Sequence, residues 1–382
     1  MAEQAGAIIP EQSASPPAAG IFPYQAIKEL IRSGEVRAAA EISDAQIQPA
    51  SLDLRLGAVA YRVRASFMPG SGATVADKIG QLGMHEIDLT TGAVLEKGCV
   101  YIVPLMEHLR LGGAIAGLAN PKSSIGRLDV FTRLIADHAT EFERVKAGYQ
   151  GPLYLEIFPR TFSIVVRTGS KLNQLRFRRG SPDSSAAQLR RLHHEVGLVD
   201  RALSEDALAG GGVPLSVDLT DPEDGALVGY RARPNTGLID VDRTGYYEAG
   251  DYWEPISADG RRAIVLNPDD FYILASKEAV TVPPDHVAEM MPYDPLVGEF
   301  RVHYAGFFDP GFGYGPDGGG GTRAVLEVRS HGVPFAIEDG QTVGRLIYEK
   351  LTDTPDRLYG PAIGSSYQNQ GLNLSKHFKP RR

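Results

Sequence analysis

Residues 100 to 111, VYIVPLMEHLRL, fall on residues 271 to 282, FYILASKEAVTV, with Tyr101 against Tyr272, Ile102 against Ile273 and Glu107 against Glu278, 171 positions apart. The same spacing lays YLEI (154 to 157) on VLEV (325 to 328), with Glu156 against Glu327. It also lays VRTGSKLNQLRF (166 to 177) on IEDGQTVGRLIY (337 to 348), with Gly169 against Gly340 and Leu175 against Leu346. Three agreements at one spacing mark an internal duplication, which fixes two copies of one unit before any single motif is read.

Both copies consist of short runs with alternating or β-branched apolar residues, among them SLDLRLG, YRVRA, LYLEIF, FSIVV, RAVLEV and PFAI, broken by Gly, Pro, Asp and Asn. That pattern predicts a mainly β chain of two tandem barrel-like repeats with a few helices. Helical spacing appears in YQAIKELIRSG, ended by a glycine, and in SSAAQLRRLHHEVGLVDRALSEDAL between the copies. The predicted layout is a disordered tail over 1–20, repeat 1 over 21–182, a helical linker over 183–212, repeat 2 over 213–358 and a C-terminal tail over 359–382. GYGPDGGGGT (313 to 322) lies between two strand-like runs; a phosphate loop would lead into a helix, so it is read as a hairpin insertion.

Charge and cysteine content exclude several functions. A formal net charge of −8 over 382 residues opposes broad nucleic-acid binding but leaves room for a local cationic pocket. The single cysteine, Cys99, rules out intrachain disulfides and a thiolate-rich zinc site. The first twenty residues, rich in Ala, Pro and Ser, lack a basic segment followed by an apolar one, and nowhere do about 18 apolar residues run together. A cytoplasmic protein without membrane contact is expected. Against that acidic background, NPKSSIGRLDVF (120 to 131) stands out as a small, cationic, hydroxyl-bearing turn.

IQPASLDLRLG (47 to 57), KSSIGR (122 to 127), GFFDPGFG (306 to 313), VLEV (325 to 328) and SSYQNQGLNLSK (365 to 376) occur in an order and over a span that resemble the dCTP deaminases, the deaminating branch of the trimeric dUTPase superfamily. The usual member has one barrel, whereas this chain looks like a long, duplicated form. The resemblance implies dUTPase-like, β-clip type distorted barrels and zinc-independent hydrolysis of the cytosine 4-amino group of dCTP. The products would be dUTP and ammonia, feeding dUMP and dTTP precursor synthesis. His193-His194-Glu195 spells the H-x-E of zinc deaminases, but the paired cysteine motif has no counterpart, so a solvated helix face is expected there.

The resemblance also implies site residues. A carboxyl group beside the base can take a proton from the attacking water and deliver one to the departing amine, best with its pKa lifted toward neutrality. The family's glutamate lies on its "LE" strand, which leaves Glu327 and, as alternative, Glu156. Repeat 2 keeps the base-reading segment, with Ala305, Gly306, Phe307, Asp309 and Gly311, where repeat 1 reads ADHATEFERVKAGYQG. Repeat 1 keeps KSSIGR, where repeat 2 reads YDPLVGE. Each copy retains a different half, so a composite site is expected. Ser123 would orient the water or stabilise charge near C4. Arg127 would fix the glutamate or a phosphate oxygen, with Lys122 and Ser124 beside it. Main chain around Ala305 to Phe307 would read the base, and Asp309 would approach the deoxyribose. Tyr367, Gln370 and Lys376 of the tail would close on the phosphates, which bring Mg²⁺ with them. Asp53, alternating with Leu52 and Leu54, is read as structural. A homo-oligomer is expected. A dUTPase or a bifunctional deaminase and dUTP diphosphatase is the nearest alternative, and an inactive nucleotide-binding regulator the second.

Overall fold

The computed structural model describes residues 18–181, 184–204, 206–208, 210–220, 227–257, 260, 262–292, 300–302, 306–315, 320–330, 332–360 and 371–380. The chain is mainly β, and the duplication is visible strand by strand. In repeat 1 one sheet runs Gly83–Asp88, Val59–Val63, Val100–Arg110, Gln150–Pro159, Val130–Ala136. In repeat 2 its counterpart runs Trp253–Ser257, Leu227–Ala232, Phe271–Val280, Thr322–Ser330, Phe300–Val302. The facing sheets correspond as well: Lys171–Arg179 pairs with Ile115–Pro121, and Thr342–Lys350 with His286–Pro292. Alternation of the strands sends one row of side chains inward in each unit, for example Leu326 and Val328 into the second core, while Glu327 between them faces outward.

That outward face of repeat 2 is covered by repeat 1. Tyr230, Ile239, Trp253, Phe271 and Ile273 of repeat 2 belong to the same buried cluster as Leu128, Phe162 and Ile164 of repeat 1. Strand Ile239–Asp240 leaves repeat 2 and pairs parallel with Ile164–Val166, extending a sheet of repeat 1. Arg167 locks that excursion through Asp240 at 2.8 Å and Asp242 at 2.6 Å.

Helix Tyr24–Arg32 buries Tyr24, Ile27 and Leu30, the expected i, i+3, i+6 stripe. The second helix, Ala186–Val196, opens with a Ser185/Gln188 capping box and is shorter than its periodicity suggested. Gly197 at φ 70 adopts the left-handed conformation that ends helices. Leu189, Leu198, Val199 and Leu208 are buried in the second core, so this segment packs with repeat 2. His193 Nδ1 accepts the Leu198 amide at 3.2 Å, and Glu195 pairs with Arg191 on the exposed face. No described helix is long and apolar enough to cross a membrane.

Candidate active site

Strand Ile115–Pro121 runs into one short helical turn, Ser123–Gly126, closed by the Gly126 amide on the Lys122 carbonyl at 3.0 Å and the Arg127 amide on that of Ser123 at 3.1 Å. Asp129, at φ 55, stops the turn in a conformation rarely taken by residues other than glycine. The turn is buried: Ser124 is 5% exposed and Arg127 3%. Lys122 is ion-paired to Asp53 on the strand Leu52–Arg55.

Glu327 meets this turn from repeat 2. Its strand partner is Ile273, whose own neighbour across the sheet is Tyr230, and all three look toward repeat 1. Arg127 Nε stands 4.0 Å from Glu327 Oε1. Burial pushes the Glu327 carboxyl up to about 8; the Arg127 guanidinium opposes this and the Asp129 charge adds to it. The cation loses because it sits at the limit of contact while the carboxyl has given up its water.

The third side is the segment after 305. Met290 holds the Gly306 carbonyl with its amide at 3.1 Å. A β-carbon on Gly306 would lie 3.9 Å from Ser123 Oγ, so the Ser123 hydroxyl and the Gly306 main chain face one another across the repeats. Phe307 lies under Arg176, its ring centroid 3.9 Å from the guanidinium carbon. Arg176 is fully buried on a repeat 1 strand and reaches Asp309 Oδ1 at 3.1 Å, the Phe308 carbonyl at 3.0 Å and the Ala288 carbonyl at 3.1 Å. Asp309 is thus tied to Arg176, and burial raises its carboxyl while Arg176 opposes. Gly311, at φ 95, turns the chain against Tyr359, whose carbonyl oxygen would lie 3.1 Å from a β-carbon there. Ala305, Tyr367 and Gln370 lie outside the described residues.

Glu156 occupies the equivalent strand position in repeat 1, but its environment differs. Arg133 is its direct cross-strand partner and donates from Nε to Oε1 at 2.9 Å, while its guanidinium stacks 4.1 Å from the Phe142 ring. The carboxylate is 1% exposed behind this cation.

The end of the chain closes the site from behind. Arg127 Nη1 donates to the Asn373 carbonyl at 3.0 Å, and Ser375 Oγ lies 2.7 Å from the Ser124 carbonyl. His377, fully buried, lies 2.7 Å from Ser375 Oγ through Nδ1 and 2.9 Å from the Val241 carbonyl through Nε2. Burial lowers Lys376, and Lys122 lowers it further. Residues 371–380 therefore include a packed segment, which the basic composition of the tail did not foretell. Among the described residues no group of three or more His, Cys, Asp or Glu is arranged to hold a metal ion. Arg176, Asp129, Arg329 and Arg133 escaped sequence reasoning. For Arg176 the one signal was a charge at an inward strand position in LNQLRF, where an unpaired cation would be costly.

Ser123, Arg127, Gly306 and Glu327 come together between the repeats, and comparison with known proteins bears on what such a site belongs to. The N-terminal domain of 2'-deoxycytidine 5'-triphosphate deaminase matches residues 18–181, and the C-terminal domain of the same family matches residues 185–378. The "dCTP deaminase, dUMP-forming" of Halobacterium salinarum is 36% identical over 121 residues, 31% of this chain and 57% of that one. The dCTP deaminase of Natronomonas pharaonis is 30% identical over 134 residues, 34% of this chain and 64% of that one. This chain thus spans somewhat less than two thirds of the length of these relatives. The crystal structure of 2'-deoxycytidine 5'-triphosphate deaminase from Agrobacterium tumefaciens is 55% identical with a TM-score of 0.83, covering 87% of this chain and 99% of that one. The chain belongs to the 2'-deoxycytidine 5'-triphosphate deaminase family.

Proposed function

We propose that the chain hydrolyses dCTP to dUTP and ammonia, with Glu327 as the proton shuttle. The observation that carries this reading is a buried carboxyl, raised to about 8, facing Arg127 across the repeat boundary. A group with that proton affinity can be restored to either form near neutrality, as a shuttle must be. Deprotonated Glu327 takes a proton from water as its oxygen adds to C4, and then hands that proton to the 4-amino group as the C4–N4 bond breaks. The second water proton ends on N3 of the uracil ring, which balances the reaction.

Ser123 is placed to hold the water or the oxygen growing negative on C4, and Arg127 to orient the glutamate. The small Gly306 admits the base close to the main chain around Ala305 to Phe307. Asp309, steadied by Arg176, is assigned to the deoxyribose, with Gly311 shaping its turn. Lys122 and Lys376, with Ser124 behind them and Tyr367 and Gln370 of the tail, are assigned to the triphosphate and its Mg²⁺. The ion belongs to the substrate. Glu156 is assigned no step, because Arg133 already neutralises it. We assign the reaction to the cytoplasm, in pyrimidine deoxynucleotide synthesis, by a homo-oligomer.

The "dUMP-forming" relative supports a second reading, in which dUTP is cleaved further to dUMP and pyrophosphate. Mass spectrometry of products from dCTP and Mg²⁺ separates the two: dUTP with ammonia supports the first, dUMP the second. No turnover overturns both.

A further inference from the structure

The repeats exchange a second buried ion pair beside the first. Glu327 and Arg329 are two residues apart on one strand and share a face. Arg127 and Asp129 are two apart where the turn ends. Arg127 meets Glu327, and Arg329 meets Asp129. Asp129 is fully buried and Arg329 is 3% exposed. Thr161 ties the two together: its hydroxyl donates to Asp129 Oδ2 at 2.5 Å and accepts from Arg329 Nη2 at 2.9 Å. Arg329 Nη1 also donates to the Asp269 carbonyl. Asp129 is fixed through its main chain as well, by its amide on the Gly126 carbonyl at 2.8 Å and by the Arg160 amide on its own carbonyl at 2.9 Å.

Charge therefore alternates around the glutamate, with Arg127 and Asp129 from the turn, and Arg329 from its own strand, bound to Asp129. We propose that Asp129 and Arg329 are a positioning pair that sets the proton affinity of Glu327 and locks the turn bearing Ser123 and Arg127 against the glutamate strand; this rests on Glu327 being the shuttle. Asp129 is the member of the pair whose charge raises the Glu327 carboxyl, and the fork of Arg329, held on Asp129, anchors the turn beside it. Removing either charge alone exposes Glu327 to the other at low effective dielectric, where a single charge matters.

The test is the pH dependence of kcat for dCTP, measured on the full chain for the wild type, D129N, R329Q and the double variant. Thermal melting reports folding. Loss of turnover in E327Q establishes the shuttle beforehand, so failure of that reading is seen separately. D129N leaves Arg329 uncompensated and is expected to move the acid limb down by about one pH unit. R329Q removes the strongest cation acting on Asp129, leaving Arg160 and Thr161 beside it, and is expected to move the limb up. The double variant returns toward the wild type, and KM changes by no more than about twofold, because neither side chain is assigned to the nucleotide. If one single variant fails to fold, the other still gives a signed shift. A folded single variant with its limb unmoved, or both limbs moving the same way, overturns the proposal.

Discussion

Glu327 and Glu156 show how one residue type at one strand position acquires two characters. Both are buried, but Arg133 lies directly across from Glu156 within hydrogen-bond distance, whereas Arg127 approaches Glu327 only to 4.0 Å. Glu327→Gln is expected to lower kcat at least about a hundredfold. Glu156→Gln is expected to act on stability, costing about 1–3 kcal/mol by leaving Arg133 without its charge partner, with turnover retained; chemical denaturation beside a rate assay separates the two. The raised Glu327 also makes a signed prediction for stability. Its ordinary value is 4.5 and its folded value about 8, so between these the folded state holds a proton that the unfolded state has released. Stability from this group therefore falls as pH rises through that window, by up to about 4 kcal/mol in all. Glu327→Gln is then expected to be more stable than the wild type at pH 9 and nearly equal to it at pH 4.5. A constant difference across that range would contradict the assignment. Sequence reasoning aligned the two glutamates through the duplication and took Glu327, with Glu156 as alternative, from the resemblance to the family's "LE" strand; the cross-strand cation that sets them apart was not legible, because Arg133 is 23 positions from Glu156.

At the scale of the element, the C-terminal segment shows a part that sequence reasoning did not foresee. Its Tyr367, Gln370 and Lys376 suggested a tail acting on phosphates. The described part also holds buried Ser375, His377 and Phe378 against the 241–247 loop and the 123–126 turn. Its partners lie more than a hundred residues away, so no local pattern announces them. His377 Nε2 faces the Val241 carbonyl at 2.9 Å and carries a proton, while Nδ1 lies 2.7 Å from Ser375 Oγ, whose own proton goes to the Ser124 carbonyl. Burial lowers His377 from 6.5 to about 4, so the unfolded state binds a proton that the folded state does not. Stability from this group is lost as pH falls from 6.5 toward 4, by about 2–3 kcal/mol over the window. His377→Asn is expected to flatten that part of the stability curve, read by denaturant titration at pH 7 and pH 4.5. An unchanged slope would mean the ring is not held neutral. The strands and helix Tyr24–Arg32, in contrast, were legible because their signals are local. The second helix was read too long because a periodic pattern runs past Gly197, where the backbone turns left-handed.

For the whole molecule, the decisive fact is that the repeats are interlocked. The duplication was readable from spacing, and the complementary loss of motifs from the family resemblance; together they led to the expectation of a composite site. What spacing could not give is the manner of closure: a strand lent by repeat 2 to repeat 1, a shared apolar cluster, and Arg176 and Arg329 reaching across. Because Trp253, Phe271 and Ile273 of repeat 2 are buried with Phe162 and Ile164 of repeat 1, neither unit can open without exposing the other's core. Scanning calorimetry is expected to show one cooperative transition, with matching calorimetric and van't Hoff enthalpies. Two separated transitions would mean that the repeats are independent units and that the site between them is not preformed. The central claim is that this interlocking builds a dCTP-hydrolysing centre around Glu327. The most direct measurement incubates the full chain and its Glu327→Gln variant with dCTP and Mg²⁺ and identifies products by mass spectrometry. The expected result is dUTP and ammonia from the wild type and neither from the variant; full turnover by Glu327→Gln, or none by the wild type, would contradict it.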